Sequence, residues 1–265
     1  MKKPILFILL ILPLIGCYGK KVHSDFNLSI YQFEEMISPL PEEVRSLIMA
    51  NPEIFMEKLS LAMAGPEELL WLVDKDQGLN PDYAPDDLEE ISFYGITGTR
   101  DNMKLRKIII SPLLSLFQSA SQMGYHLVVG SAYRSYSNQQ ALYQYWVEFL
   151  GQEQADRESA RPGHSQHQLG TTLDFSPIEE RFGELPEGKW LMANAWKFGF
   201  SMSYPSGMEE KTGYIYEPWH YRYMGVAAAD LVQNFFQGNQ QLFLEFFQLR
   251  SAFLKPLWLG KQPPH

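Results

Sequence analysis

Cysteine is nearly absent from this chain. Its 265 residues include one, Cys17, so no disulfide can form within the chain and no cluster of thiolates can hold a metal. Any metal would need histidine and carboxylate ligands. Basic runs are missing as well: 22 Lys and Arg stand against 31 Asp and Glu, a net charge of −9. A protein that tracks a phosphate backbone normally carries a basic face, so nucleic acid is not expected as a partner. There is no internal repeat and no low-complexity tract. What remains is 45% hydrophobic and 14% aromatic, a globular composition long enough for one large domain or two small ones.

The N-terminus reads Met1-Lys2-Lys3 and then runs apolar from Pro4 to Ile15. About a dozen apolar residues after a basic start fit a secretory signal, whereas a membrane-spanning helix needs about 20. The run closes on Leu14-Ile15-Gly16-Cys17, which resembles the lipobox of bacterial lipoproteins. That resemblance implies a signal peptide over 1–16, cleavage before Cys17, and lipidation of Cys17. The expected product is an exported protein anchored by lipid to a bacterial membrane, on its periplasmic or cell-surface side.

The rest divides by texture. Residues 17–65 read as a tether, Tyr18 to Pro39, followed by two short helices that Pro52 separates within Pro41 to Ala64. Residues 66–235 hold the segments with chemistry, and 236–265 read as a C-terminal helical tail. Apolar spacing predicts helices through Leu105 to Ala120, with Pro112 as a kink or a first turn, and over Asn138 to Leu150 and Gly188 to Phe198. Short strands are predicted at Tyr125 to Val129, Ser165 to Gln168, Thr172 to Ser176 and Trp219 to Tyr223. The fold class is α+β: a small antiparallel sheet carrying the candidate site, flanked by helices, with extra helices at both ends.

Three segments can carry chemistry. Two strands folded back at Gly170 would set His167 beside Asp174. In Glu217-Pro218-Trp219-His220-Tyr221-Arg222, the proline biases Glu217 away from helix, so His220 sits at the start of a strand. Two histidines and one aspartate would leave a position open for water, the pattern of a catalytic zinc site, with Glu217 beside it. Arg134, leaving a strand before a helix, suits a fork that grips a carboxylate. Each residue alone has a plainer reading: a structural histidine, a solvated or loop-bracing arginine, an aspartate at a turn.

Taken together, the runs Tyr133-Arg134-Ser135-Tyr136, Pro162 to Gly170 and Glu217 to Arg222 resemble the VanY-like D-alanyl-D-alanine carboxypeptidases, zinc peptidases of bacterial cell walls. The resemblance extends over Leu69 to Gly225. It implies Zn²⁺ held by His167, Asp174 and His220, with Glu217 as catalytic base. It further implies that Arg134, Ser165 and Gln139 hold the terminal carboxylate of a peptidoglycan stem peptide. The expected activity is removal of the C-terminal D-Ala by a monomeric enzyme. The alternatives are an L,D-carboxypeptidase, an endopeptidase on wall peptides, or a non-catalytic lipoprotein that binds them. Thr172 and Ala132 depart from the small residues usual at their positions, which bears on substrate preference rather than on the ligand set.

Overall fold

Local capping chemistry sets where the first helices begin. In the computed structural model, which describes residues 21–260, Ser29 and Gln32 form a reciprocal capping box at the start of α1 (Ile30–Ile37). Helix α2 (Glu42–Ala50) stops before Pro52, which opens α3 (Pro52–Ala64) at a position where its missing N–H costs nothing. A two-stranded ribbon follows, β1 (Leu88–Glu90) against β2 (Lys104–Arg106), leading into α4 (Lys107–Gln122). Pro112 lies inside α4, so the carbonyl of Ile108 has no N–H four residues on.

Strand β3 (Val129–Ser131) leads to α5 (Tyr136–Leu150), capped by Ser135, and to α6 (Gln152–Glu158). Then come β4 (Thr172–Phe175), α7 (Pro186–Asn194), β5 (Phe200–Met202), the single turn α8 (Glu209–Thr212) and β6 (His220–Tyr223). Two helices finish the described chain, α9 (Val226–Asn234) and α10 (Gln240–Leu254). The main sheet is antiparallel throughout, in the order β3-β4-β6-β5. This is the α+β architecture expected from the sequence.

Two apolar cores meet along the chain. Leu173, Phe175, Trp219, Tyr221 and Tyr223 project from one face of the sheet into the first, against α4 and α7. The second is helical, built from α1 to α3 together with α9 and α10. Phe55 sits at its centre, with the rings of Phe33, Phe235, Phe236 and Phe246 between 5.4 and 6.4 Å from its own. The chain passes between the cores at Leu69–Leu70 and again at Tyr223–Met224, where neighbouring residues bury into different cores.

Four expectations need correction. The tether, from Lys21 onward, is packed structure: Phe26 and Leu28 are fully buried, and Asn27 and Leu259 exchange backbone hydrogen bonds with Leu257 and Asp25. The boundary at 235/236 is no break, because α9 and α10 share one core. The strand predicted at Tyr125 to Val129 is shorter and lies at Val129–Ser131. Residues Gln166–Leu169 form a 3-10 turn instead of a strand, because the Ser165 hydroxyl accepts the His167 N–H and Gly170 turns the chain in the left-handed region. The signal peptide and Cys17 lie outside the described residues.

Truncating Phe55 to Ala would empty the centre of a five-ring cluster that joins both ends of the described chain. Chemical unfolding should show Phe55→Ala losing about 3–5 kcal/mol. A loss under about 1 kcal/mol would mean the rings do not hold the ends together.

Candidate active site

The register of the two central strands makes the site. Asp174 of β4 pairs directly with His220 of β6, and Thr172 pairs with Arg222. The opposite faces of both strands are committed to the core, so these polar side chains share the other side. His167 reaches the same point from the 3-10 turn, which Gly170 closes at φ +71°. A Cβ on Gly170 would stand 2.9 Å from the Arg106 side chain and 3.0 Å from Leu88, so the turn needs glycine on steric grounds too.

His167 Nε2 lies 3.1 Å from one oxygen of Asp174, and His220 Nδ1 lies 3.0 Å from the other. All three side chains are buried, and their candidate ligand atoms fall within 4.8 Å of one another. The other nitrogen of each ring is already occupied. His167 Nδ1 meets the backbone oxygen of Ala132 at 2.8 Å, and that oxygen can only accept. His220 Nε2 meets Gln166 Oε1 at 3.3 Å. With the ring protons directed there, the nitrogens facing Asp174 are bare lone pairs.

Burial pulls the His167 pKa down, favouring the neutral ring. With the ring protons turned to their outer partners, two imidazole lone pairs face Asp174. Asp174 Oδ1 is correspondingly a buried oxygen without a hydrogen-bond donor. Such an acceptor-only cluster fits a divalent cation, and nitrogen and carboxylate donors suit zinc.

Glu217 stands at the edge of this cluster, with Oε2 3.3 Å from His220 Nδ1. Burial, reinforced by the charge of Asp174, raises its pKa well above the ordinary carboxylate value. Arg134 approaches from the end of β3. Its Nη1 donates to Gln139 Oε1 at 2.7 Å and its Nη2 to Ser131 Oγ at 3.0 Å. Its backbone N–H bonds to the carbonyl of His167 at 3.2 Å, tying the guanidinium's position to that of a candidate ligand.

Arg134, Ser165, His167, Asp174, Glu217 and His220 all line one cavity of about 350 Å³. Trp146, Tyr204, Tyr214 and Trp219 form aromatic walls, and Arg100 and Ile178 complete the rim. Tyr221 belongs to the core and not to the cavity.

Gln139 departs from expectation. It is buried away from the cavity, with its oxygen on Arg134 and its nitrogen on the Ala160 carbonyl at 2.6 Å. It braces the arginine and has no amide group left for a ligand. Gln166, Ser203 and Gln240, which surround the outer side of His220, were not among the expected site residues. Gln166 sits between Ser165 and His167, inside a run that carries the family resemblance. Gln240 carries no sequence signal at all, being one polar residue at the start of a terminal helix.

The family described as VanY, D-alanyl-D-alanine carboxypeptidase, matches residues 102–226. The chain is 37% identical to the putative carboxypeptidase YodJ of Bacillus subtilis (strain 168) over 193 residues, 69% of this chain and 68% of that protein. Among solved structures it is similar to the LD-carboxypeptidase LdcB, at 34% identity and a TM-score of 0.63, covering 68% of this chain and 87% of that one. It is also similar to a mutant of a vancomycin-resistance D,D-pentapeptidase, VanY, in complex with Zn(II). That match has 29% identity and a TM-score of 0.56, covering 67% of this chain and 99% of that one.

If the cluster needs a cation, the acidic centre is a liability without one. Zn²⁺ at a hundredfold excess over its dissociation constant should stabilise the wild type by about 2.7 kcal/mol, read as a rise in melting temperature. In Asp174→Asn that rise should vanish, while the zinc-free variant melts no lower than the zinc-free wild type, because an amide N–H can donate to an imidazole. A zinc-free variant much less stable than wild type would show that the carboxylate serves packing instead.

Proposed function

The chain belongs to the VanY-like D-alanyl-D-alanine carboxypeptidases, and on that premise we propose that it is a zinc-dependent carboxypeptidase that removes the terminal D-Ala from peptidoglycan stem peptides. The observation that carries this reading is one cavity that gathers the acceptor-only His167, Asp174 and His220 cluster, the buried carboxyl of Glu217 and the braced guanidinium of Arg134. In it His167, Asp174 and His220 hold the zinc, Glu217 is the general base, and Arg134 with Ser165 receives the substrate's end.

Zinc bound there supplies Lewis acidity and brings the pKa of a water toward neutrality. Arg134 pairs with the free carboxylate of the last residue through a charge-assisted fork, which an internal peptide bond cannot offer. Gln139 and Ser131 keep that fork aimed into the cavity. Glu217 accepts a proton from water as the water's oxygen bonds to the last peptide carbonyl. It then returns a proton to the leaving nitrogen as the C–N bond breaks. Burial raises the Glu217 pKa, the direction that lets a carboxylate hold the proton it takes before passing it on. Trp146, Tyr204 and Trp219 line the cavity around it.

An L,D-carboxypeptidase reading has one observation in its favour: the LD-carboxypeptidase LdcB superimposes at a higher TM-score than the D,D-pentapeptidase VanY, 0.63 against 0.56. The chemistry at the cavity is the same for both, and the difference lies in the residue that precedes the scissile bond. We further propose an exported protein anchored by lipid at Cys17, on the strength of the Leu14-Ile15-Gly16-Cys17 sequence. Mass spectrometry of the N-terminal peptide would reveal an acylated Cys17, and an intact Met1 start would dismiss the anchor.

Pentapeptide and tetrapeptide stems, offered separately, should each be scored for release of D-Ala. The pentapeptide should lose one residue, and a chelator should stop the loss. Glu217→Gln should retain zinc and lose about 10²–10⁴-fold in kcat. Arg134→Ala should raise KM by about ten- to a hundredfold, as expected for a lost charged hydrogen bond. Trimming of the tetrapeptide alone would transfer the assignment to L,D-cleavage. Full activity in Glu217→Gln would refute the mechanism, and zinc binding without hydrolysis of either stem would leave a wall-peptide-binding protein.

A further inference from the structure

We propose that Gln240, in the first turn of α10, fixes which nitrogen of His220 carries the ring proton and is a positioning residue for the metal centre. This inference rests on the zinc reading above. It begins from a difference between the two histidines. His167 gives its Nδ1–H to the Ala132 carbonyl, a group that can only accept. His220 Nε2 faces Oε1 of the Gln166 side-chain amide, a group with an accepting end and a donating end, while the ring's Nδ1 faces Asp174 Oδ1 at 3.0 Å and Glu217 Oε2 at 3.3 Å. If that amide turned over, its NH₂ would face His220 Nε2. The ring proton would move to Nδ1, and Asp174 Oδ1 would face an N–H in place of a lone pair.

The next two links prevent this. Gln166 Nε2 donates to Gln240 Oε1 at 3.4 Å, and Gln240 Nε2 donates to the backbone carbonyl of Ser201 at 3.1 Å. The Ser201 carbonyl has no hydrogen to give, so the Gln240 amide has one orientation that satisfies both of its ends. That orientation presents an oxygen to Gln166, which in turn presents its own oxygen to His220. Ser203 Oγ lies 2.7 Å from Gln166 Oε1 and 3.2 Å from Gln240 Oε1, but a hydroxyl can rotate to suit either arrangement and cannot set the direction.

Burial makes the relay decisive. Gln240 is 1% exposed and Gln166 5%, so water cannot readily repair a reversed amide. Donation therefore runs from His220 Nε2, through two glutamines, to a backbone carbonyl of β5, and leaves the metal face of His220 without the proton. Gln240 lies beyond the family match, which ends at residue 226. Its helix also packs in the helical core, so the C-terminal helix reaches the catalytic centre through this one side chain.

The test uses the full chain in three forms: wild type, Gln240→Met, which keeps the shape without the amide, and Gln240→Met combined with Gln166→Glu. Two readouts are taken. Long-range ¹H–¹⁵N correlation of the zinc-free protein reports the His220 tautomer, and competition with a chromophoric chelator reports the zinc dissociation constant. Wild type should show the Nε2–H tautomer alone. Gln240→Met should show a mixture and bind zinc about ten- to a hundredfold more weakly, the usual effect of losing an outer-shell partner. The double variant should recover both, because a carboxylate accepts from His220 whichever way it is turned. An unchanged tautomer and zinc affinity in Gln240→Met overturns the proposal, and so does a double variant that fails to recover. Should Gln240→Met not fold, Gln166→Leu cuts the relay away from α10 and gives the same two readouts. If wild type binds no zinc, the zinc reading is what fails, and the tautomer populations alone decide the role of Gln240.

Discussion

Hydrogen-bond direction at two imidazole rings is the constraint on which this structure turns. His167 and His220 both point their N–H groups away from Asp174, one to the Ala132 carbonyl and the other to Gln166. The three groups that remain face one another as acceptors, and acceptors held 3.0–3.1 Å apart in a buried site repel unless a cation stands among them. Forces elsewhere in the protein hold this arrangement in place: the β4–β6 register, the 3-10 turn and the packing beneath the sheet. Charge on the carboxylate is unfavourable in such a place unless something compensates it. The fold therefore stores a defect that ligand binding repairs, which is how a binding site differs from a satisfied polar core.

Rigidity in the supporting layer explains how such a defect persists. Beneath the site, Leu173, Phe175, Trp219 and Tyr221 anchor β4 and β6 in the sheet core, so neither strand can shift by a residue without burying polar groups and exposing rings. Beyond it, the helical core binds the two ends of the described chain into one body through Phe55 and its four aromatic neighbours. The helices at both ends are thus a single brace assembled from distant segments. It touches the catalytic core at the Leu69–Leu70 and Tyr223–Met224 crossings, the second of which directly follows the strand that carries His220.

The chemistry was far more legible in the sequence than the support. His167, Asp174, His220 and Glu217 announce themselves because few residue types can hold a metal or move a proton, and their spacing restricts where they can meet. The strand faces of β4 and β6 were equally readable, since period-two alternation leaves no other face for Leu173 or Tyr221. The Ser165 to Gln168 segment has the alternation of a strand and yet is not one, because alternation there has a second cause. Ser165 bonds the N–H two residues on, and that local bond forms a 3-10 turn whatever the side-chain pattern suggests. The packed role of 21–39 is illegible for another reason: several of its partners lie more than two hundred residues away, as with the Phe26 to Trp258 bridge. Gln139 illustrates a subtler limit. Proximity to Arg134 could be read from spacing, but whether an amide faces the cavity or the arginine depends on the Ala160 carbonyl, which no motif records.

Under the carboxypeptidase function proposed above, selectivity for a chain end follows from how Arg134 is mounted. The Arg134 backbone N–H is bonded to the carbonyl of His167, so the guanidinium and one metal-facing imidazole belong to the same short stretch of hydrogen-bonded backbone. Two further bonds, to Gln139 and Ser131, remove the side chain's remaining freedom. The distance from the carboxylate grip to the reacting carbonyl is then a property of the scaffold and not of a flexible side chain, which is the condition for converting binding energy into positioning. A ruler fixed at that end admits one residue between the grip and the bond that breaks. It places no comparable demand on the residue before that bond, which meets the other walls of the cavity. Under the same proposal, the choice between a D- and an L-residue before the bond falls to those walls.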